Sequence, residues 1–151
     1  MAKTVHDVMT NTPAFCTPDT SLQDVARMMV QNDCGCIPVV ETRETMIPMG
    51  TVTDRDIVIR AVAEGKNPLQ LKAKDCISTP VVTVTQDSTL KNCCKIMEDY
   101  QIRRLVVVDE KGQCCGMVSQ ADIARTGEDK KIAEVLEEVS KPAHEHVGST
   151  T

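Results

Sequence analysis

Tryptophan is absent from this 151-residue chain, and the aromatic side chains are limited to Phe15 and Tyr100. Single-stranded nucleic acids are held largely by stacking bases on aromatic rings, so that mode of binding has almost nothing to work with. Positive charge is not in excess either. Lys and Arg total 17 against 22 Asp and Glu, for a formal charge of −5 and a pI near 5.2. That balance argues against a broad basic footprint for nucleic acid. No stretch approaches the roughly 18 apolar residues of a membrane-spanning helix, and no apolar run follows Lys3 at the amino end. The expectation is a soluble, cytoplasmic protein with neither a nucleic-acid nor a membrane partner. Missing too is any Cys-x-x-Cys pair, although there are eight cysteines.

What is present is duplication. A shift of 68 positions aligns Asp7 with Asp75, Thr17 with Thr85, Asp19 with Asp87, Leu22 with Leu90, Met29 with Met97 and Val39-Val40 with Val107-Val108. After a turn shorter by two residues, a shift of 66 aligns Gly50, Val52, Asp56 and Ile57 with Gly116, Val118, Asp122 and Ile123. Self-similarity at a fixed period marks a repeated structural unit. A unit of about 55–60 residues is marginal alone and gains from sharing a core with its copy. The chain divides into a first repeat at 4–65, a linker at 66–73 entered through the helix stop and connector Gly65-Lys66-Asn67-Pro68, and a second repeat at 74–126. A helix over 128–141 and a loose tail over 142–151 follow.

Each repeat reads as β-α-β-β-α after a short helical lead-in, Val5 to Met9 in the first copy and Asp75 to Ile77 in the second. Residues 14–16 and 81–84 are short strand candidates. Leu22, Val25, Ala26, Met29 and Val30 follow the i, i+3, i+4, i+7, i+8 spacing of one helix face, and Leu90, Cys93, Cys94 and Met97 repeat it. Ile37 to Val40 and Leu105 to Val108 are short apolar runs suited to buried strands. Strands Met49 to Val52 and Cys115 to Val118 follow, then helices to about Ala63 and Arg125. Ile132, Val135, Leu136 and Val139 give the last helix an apolar stripe.

The repeat also interprets the cysteines. Seven of the eight face apolar residues in the sister copy, and Cys36 alone faces a charged one, Arg104. Free cysteine behaves as a small buried hydrophobe, so the set reads as core. Cys34 and Cys36, at the start of a strand, are the redox candidates. His6, His144 and His146 have no partners at metal-ligand spacing.

The chemistry concentrates in Gly50-Thr51-Val52-Thr53-Asp54-Arg55-Asp56-Ile57 and Gly116-Met117-Val118-Ser119-Gln120-Ala121-Asp122-Ile123. Both fit Gly-x-Val-[Thr/Ser]-x-x-Asp-Ile. A hydroxyl and a carboxylate three residues apart at a strand-to-helix turn can hold a sugar diol beside a helix amino end. They can equally form a capping box, whose hydroxyl and carboxylate satisfy orphan helix amides. Aspartate in the third position, where Glu or Gln is more typical, and a preceding glycine that admits close approach weigh toward a ligand, and from the chemistry alone both readings stay open.

These motifs, with Asp7-Val8-Met9-Thr10, Thr17-Pro18-Asp19-Thr20-Ser21-Leu22, Ile37-Pro38-Val39-Val40, Val82-Thr83-Val84 and Arg103-Arg104-Leu105-Val106-Val107-Val108, resemble a tandem cystathionine beta-synthase (CBS) domain pair, a Bateman module. The resemblance covers about residues 4–126. The second copy departs from the family pattern at Cys76-Ile77 and Val106. The resemblance implies an α+β fold of two CBS repeats packed with pseudo-twofold symmetry, plus the C-terminal helix. It further implies two clefts for adenosine-containing ligands, with Thr53 and Asp56 on the ribose in one and Ser119 and Asp122 in the other. Residues entering the second strand of each repeat, Gly35, Cys36 and Ile37 in one copy and Arg103, Arg104 and Leu105 in the other, would line them. Ile37, Val81 and Leu105 would contact adenine. Arg55, Arg103 and Arg104 are candidate phosphate partners, since a guanidinium chelates phosphate.

The implied function is a stand-alone sensor, not an enzyme. It would have no obligatory cofactor and take AMP, ADP, ATP, NAD or a similar adenine nucleotide as regulatory ligand. It would signal through a homodimer to an effector protein of unknown identity. Two alternatives stay open: a cysteine-based redox or metal-binding protein, and a ligand-free interaction module.

Overall fold

The computed structural model describes residues 3–126. The helix expected at 128–141 and the tail at 142–151 lie outside the described residues. Helix α1 spans Val5–Val8, strand β1 Thr10–Asn11, α2 Leu22–Asn32, β2 Cys36–Val40, β3 Pro48–Thr53 and α3 Asp54–Ile57, the last extended by a wider helical turn over Val58–Val62. The second copy contributes a short turn at Ala73–Asp75, β4 Thr83–Thr85, α4 Leu90–Tyr100, β5 Arg104–Val108, β6 Cys114–Ser119 and α5 Gln120–Ala124. The expected strand at 14–16 is reduced to a single bridge from Cys16 to Val39, where Pro13 brings no N–H to a ladder. The strand expected at 81–84 falls at 83–85 instead.

The two long helices form where the apolar spacing predicts. Ser21 and Thr89 cap them by accepting from the backbone N–H groups of Asp24 and Asn92. Both end on left-handed residues, Asp33 (φ 49°) and Gln101 (φ 55°). Leu22, Val25 and Met29 turn inward from α2, and Leu90, Cys93, Cys94 and Met97 from α4.

Strands β2 and β3 pair antiparallel, as do β5 and β6, and β4 joins β5 in parallel. The second sheet runs β1-β6-β5-β4, so its edge strand β1 comes from the first repeat. Thr10 pairs with Met117, and the equivalent Ser78 bridges back to Thr51. Likewise Thr4 bridges to Thr89 while Ser21 bridges to Lys72. Each pair is the image of the other under the repeat shift, which is the pseudo-twofold relation expressed in hydrogen bonds.

Each lead-in therefore packs on the opposite copy. Val5 and Met9 join Leu90, Met97, Leu105 and Ile123 in one core. Ala73 and Cys76 join Leu22, Val25, Ile37 and Val52 in the other. A third cluster, with Val40, Val106, Val108 and Cys114 against Phe15 and Met46, closes the seam. Burying a side chain such as Val5 contributes about 1.5–3 kcal/mol, so the exchange ties the copies into one folding unit.

The glycines of the two motifs make room for this crossing. A Cβ on Gly50 would lie 2.5 Å from the Ser78 carbonyl oxygen, and one on Gly116 would lie 2.5 Å from the Met9 sulfur. The close approach expected there of a ligand is taken by the neighbouring lead-in.

Six cysteines are buried, Cys115 is half-buried and Cys34 is exposed, and all eight are free thiols. The core reading thus holds for most of them, and Cys34 is the exception. No helix among the described residues is long and apolar enough to cross a membrane.

Candidate functional site

Both hydroxyl–carboxylate motifs sit where a strand turns into a helix, and both form closed capping boxes. The Asp56 N–H donates to Thr53 Oγ1 at 3.0 Å, and the Thr53 N–H donates to Asp56 Oδ2 at 2.9 Å. In the second copy the Asp122 N–H donates to Ser119 Oγ at 3.1 Å, and the Ser119 N–H donates to Asp122 Oδ2 at 2.9 Å. One oxygen of each carboxylate is thus committed to its own helix start. The other oxygens differ. Asp56 Oδ1 accepts from the Ser78 hydroxyl at 2.9 Å, whereas Asp122 Oδ1 is paired with the Arg125 guanidinium. A carboxylate oxygen has two lone pairs, so each can accept a further bond from a ligand hydroxyl.

Two clefts flank the seam. The wider, about 600 Å³, is walled by residues 10–14 just after the first lead-in, residues 32–36 at the start of β2, and the second motif with Ser119 and Asp122. The narrower, about 350 Å³, is walled by Ser78, Pro80, Val81 and Val82 just after the second lead-in, by Gln101 and Ile102, and by Thr51 and Thr53. Each cleft therefore combines the motif of one repeat with the strand start of the other. Register also sets the strand start of the same repeat beside each motif, because Cys36 lies opposite Thr53 and Arg104 opposite Ser119 on paired strands.

Of the residues expected at the site, Thr53 and Val81 wall the narrow cleft and Ser119 and Asp122 the wide one, while Cys36, Arg103 and Arg104 border both. Asp56 stands behind Ser78 and is not on the narrow wall. Three expectations are corrected. Ile37 and Leu105 are each 1% exposed and packed inside the two cores, and neither is on a cleft wall. Arg55 is exposed on the outside of α3 and borders neither cleft. Burial pushes the Cys36 thiol up to about 11, against the opposing pull of the nearby Arg104. A thiol so protonated is a poor redox nucleophile at neutral pH.

Sequence reasoning missed Ser78, Arg125 and Gln120. A signal for Ser78 exists, since Thr10 carries a hydroxyl at the equivalent position. Gln120 borders the wide cleft, and its side-chain oxygen is buried without a hydrogen-bond partner. Such acceptors are rare in folded proteins and call for a donor. Among the described residues, no group of three or more His, Cys, Asp or Glu could hold a metal ion.

Two α+β repeats related by a pseudo-twofold axis, exchanging lead-ins and enclosing paired clefts, define a tandem-repeat cleft module. The CBS domain family matches residues 5–62 and 73–129, and the chain belongs to that family. An uncharacterized protein of Methanopyrus kandleri is 36% identical over 136 residues, which cover 90% of this chain and 65% of that relative. The chain thus spans about two thirds of that relative's length. Among solved structures, Hypoxic Response Protein I with two coordinated zinc ions superposes with a TM-score of 0.72 at 29% identity, covering 82% of this chain and 98% of that one. The CBS domain pair of MJ0100 in complex with 5′-methylthioadenosine and S-adenosyl-L-methionine superposes with a TM-score of 0.73 at 22% identity, covering 84% and 97%. That last likeness concerns the fold.

Proposed function

We propose that this chain is a regulatory sensor that holds adenosine-containing ligands in its two clefts and passes the signal on through a homodimer to an effector protein. The observation that carries the reading is the wide cleft. There Ser119 and Asp122 share one cavity of about 600 Å³ with Arg103 and Arg104. The carboxylate and hydroxyl suit a vicinal diol, and the arginines suit a phosphate. In the narrow cleft, Val81 and Ile102 supply the apolar wall in place of Ile37 and Leu105. The MJ0100 pair, of similar fold, holds two adenosyl compounds, which supports this class of ligand.

The test is calorimetry of nucleotide-free protein with AMP, ATP, NAD and S-adenosylmethionine. We expect a binding signal that Asp122→Ala weakens by roughly a hundredfold, as loss of two charge-assisted hydrogen bonds predicts. Silence with all four ligands would end the proposal.

One observation favours a second reading, a module that docks a partner and holds no ligand. Both capping boxes are closed, so the motifs already serve their helices. On that reading Asp122→Ala lowers thermal stability and leaves every ligand titration flat.

A further inference from the structure

The two clefts are neighbours divided by one partition. Cys36, Arg103, Arg104 and Met117 border both, and of these only the arginines carry charge. Among the described residues, no other lysine or arginine borders the narrow cleft. On the wide side the additional cation is Arg125, and it is paired with Asp122. The pseudo-twofold relation would allow a matching pair of cations from the first repeat. The positions equivalent to Arg103 and Arg104 are instead Gly35 and Cys36, which are uncharged. A Cβ on Gly35 would lie 2.8 Å from the exposed Asp54 carboxylate, so the charge nearest that position is negative. The partition therefore has one set of cations for two cavities. Both arginines are exposed at the partition, where either cavity can reach them.

We infer that the two clefts compete for this arginine pair. A phosphorylated adenosyl ligand in one cleft claims the positive charge that a second would need, so the chain holds one tightly and the next weakly. An uncharged adenosyl ligand fills both clefts independently. The inference rests on the adenosyl reading above and adds a rule of occupancy to it. A phosphate monoester has close to two negative charges at neutral pH, and a guanidinium binds it through paired hydrogen bonds. Once those bonds are made, the second phosphate meets a partition already neutralised and a like charge beyond it. Coupling of this kind is reciprocal, so the penalty is the same whichever cleft fills first.

The experiment titrates the full chain with AMP and separately with adenosine, at low and at high salt. Adenosine should fill two sites of comparable affinity. AMP should fill one site and leave the second weaker by about tenfold or more, within the usual range of coupling between sites. High salt should narrow that gap, because the arginines are exposed and screened. In the Arg103→Gln/Arg104→Gln double variant the gap should close, with AMP binding no better than adenosine. Its unfolding temperature, compared with the parent, confirms that surface residues alone were changed. Equal filling of both clefts by AMP would overturn the inference while leaving the adenosyl reading intact. So would adenosine that stops at one site, fails to bind where AMP binds, or shows the same gap as AMP. No heat with either ligand would overturn the adenosyl reading itself, and this inference with it.

Discussion

Asp56 and Asp122 start from the same local chemistry and finish with different neighbours. Each closes a capping box on its own helix. Asp56 then spends its outer oxygen on Ser78, a residue of the crossing lead-in, and stands behind the wall of the narrower cleft. Asp122 faces the wider cleft, and its outer oxygen is held by Arg125, whose side chain is 72% exposed. A hydroxyl tied into the fold is costly to displace, whereas an exposed guanidinium can swing into solvent. Duplication supplied two equal motifs, and the surroundings set one carboxylate behind a structural hydroxyl and the other on a cleft wall.

The thiols give the largest contrast between the copies. Burial pushes Cys16 and Cys93 up to about 12, and Cys114 up to about 11. Cys34 is exposed at the wide cleft, and its counterpart in the second copy is Ile102. With a small alkylating reagent on native protein, Cys34 should react first and Cys115 next. The buried six should lag by about a hundredfold or more, since the thiolate is the reactive form. Mass spectrometry of timed samples reads the order, and early labelling of Cys93 would break it. The same buried thiols set an alkaline limit. With the folded-state value raised, their contribution is complete below the ordinary 9.0 and disappears as pH climbs toward about 12. Denaturant midpoints should therefore fall across that window.

The crossing lead-ins give the next contrast. Gly50→Ala places a methyl against a backbone carbonyl and the Ile77 side chain, at 2.5 and 2.7 Å. Gly116→Ala meets the flexible end of Met9 at 2.5 Å and the Thr10 carbonyl at 3.0 Å. Methionine repacks readily, so the expected losses are about 3 kcal/mol for Gly50 and about 1 kcal/mol for Gly116, within the range for overpacking. Urea unfolding followed by circular dichroism measures both. Equal losses would mean that the two crossings are equally rigid.

Much of this architecture is legible in the amino-acid sequence. The helix faces of α2 and α4 follow from spacing, and β2 and β5 from their apolar runs. The cysteine core follows from comparing the copies. The exchange of lead-ins is not legible, for a definite reason. A repeat alignment is unchanged if Val5 packs on its own copy or on the other, so no pattern distinguishes the two. The same ambiguity hides which strand start faces which motif. Ile37 and Leu105 escape a correct placement because β2 is buried along its whole length and β5 along all but Arg104. A period of two has nothing to report when both faces are covered. Ser78 meets Asp56 from 22 positions away, so only the hydroxyl of its counterpart Thr10 hints at it, and Arg125 is an exposed charge like any on a surface helix.

The smallest predicted effect bears most directly on the two carboxylates. Ser78→Ala removes a hydrogen bond from half-buried Asp56 and leaves an acceptor in want of a donor, for an expected loss of about 1 kcal/mol. Arg125→Ala removes an exposed partner from Asp122, and exposed ion pairs contribute about 0.3 kcal/mol. Thermal unfolding of the two single variants resolves a difference of that size. The binding consequence has the opposite order. Freeing Asp122 from Arg125 leaves its outer oxygen available to a diol, so AMP affinity at the wide cleft should hold or rise in Arg125→Ala. If instead Arg125→Ala unfolds as readily as Ser78→Ala, the guanidinium is as firmly built in as the hydroxyl. The wide cleft would then have no better claim to an open carboxylate than the narrow one.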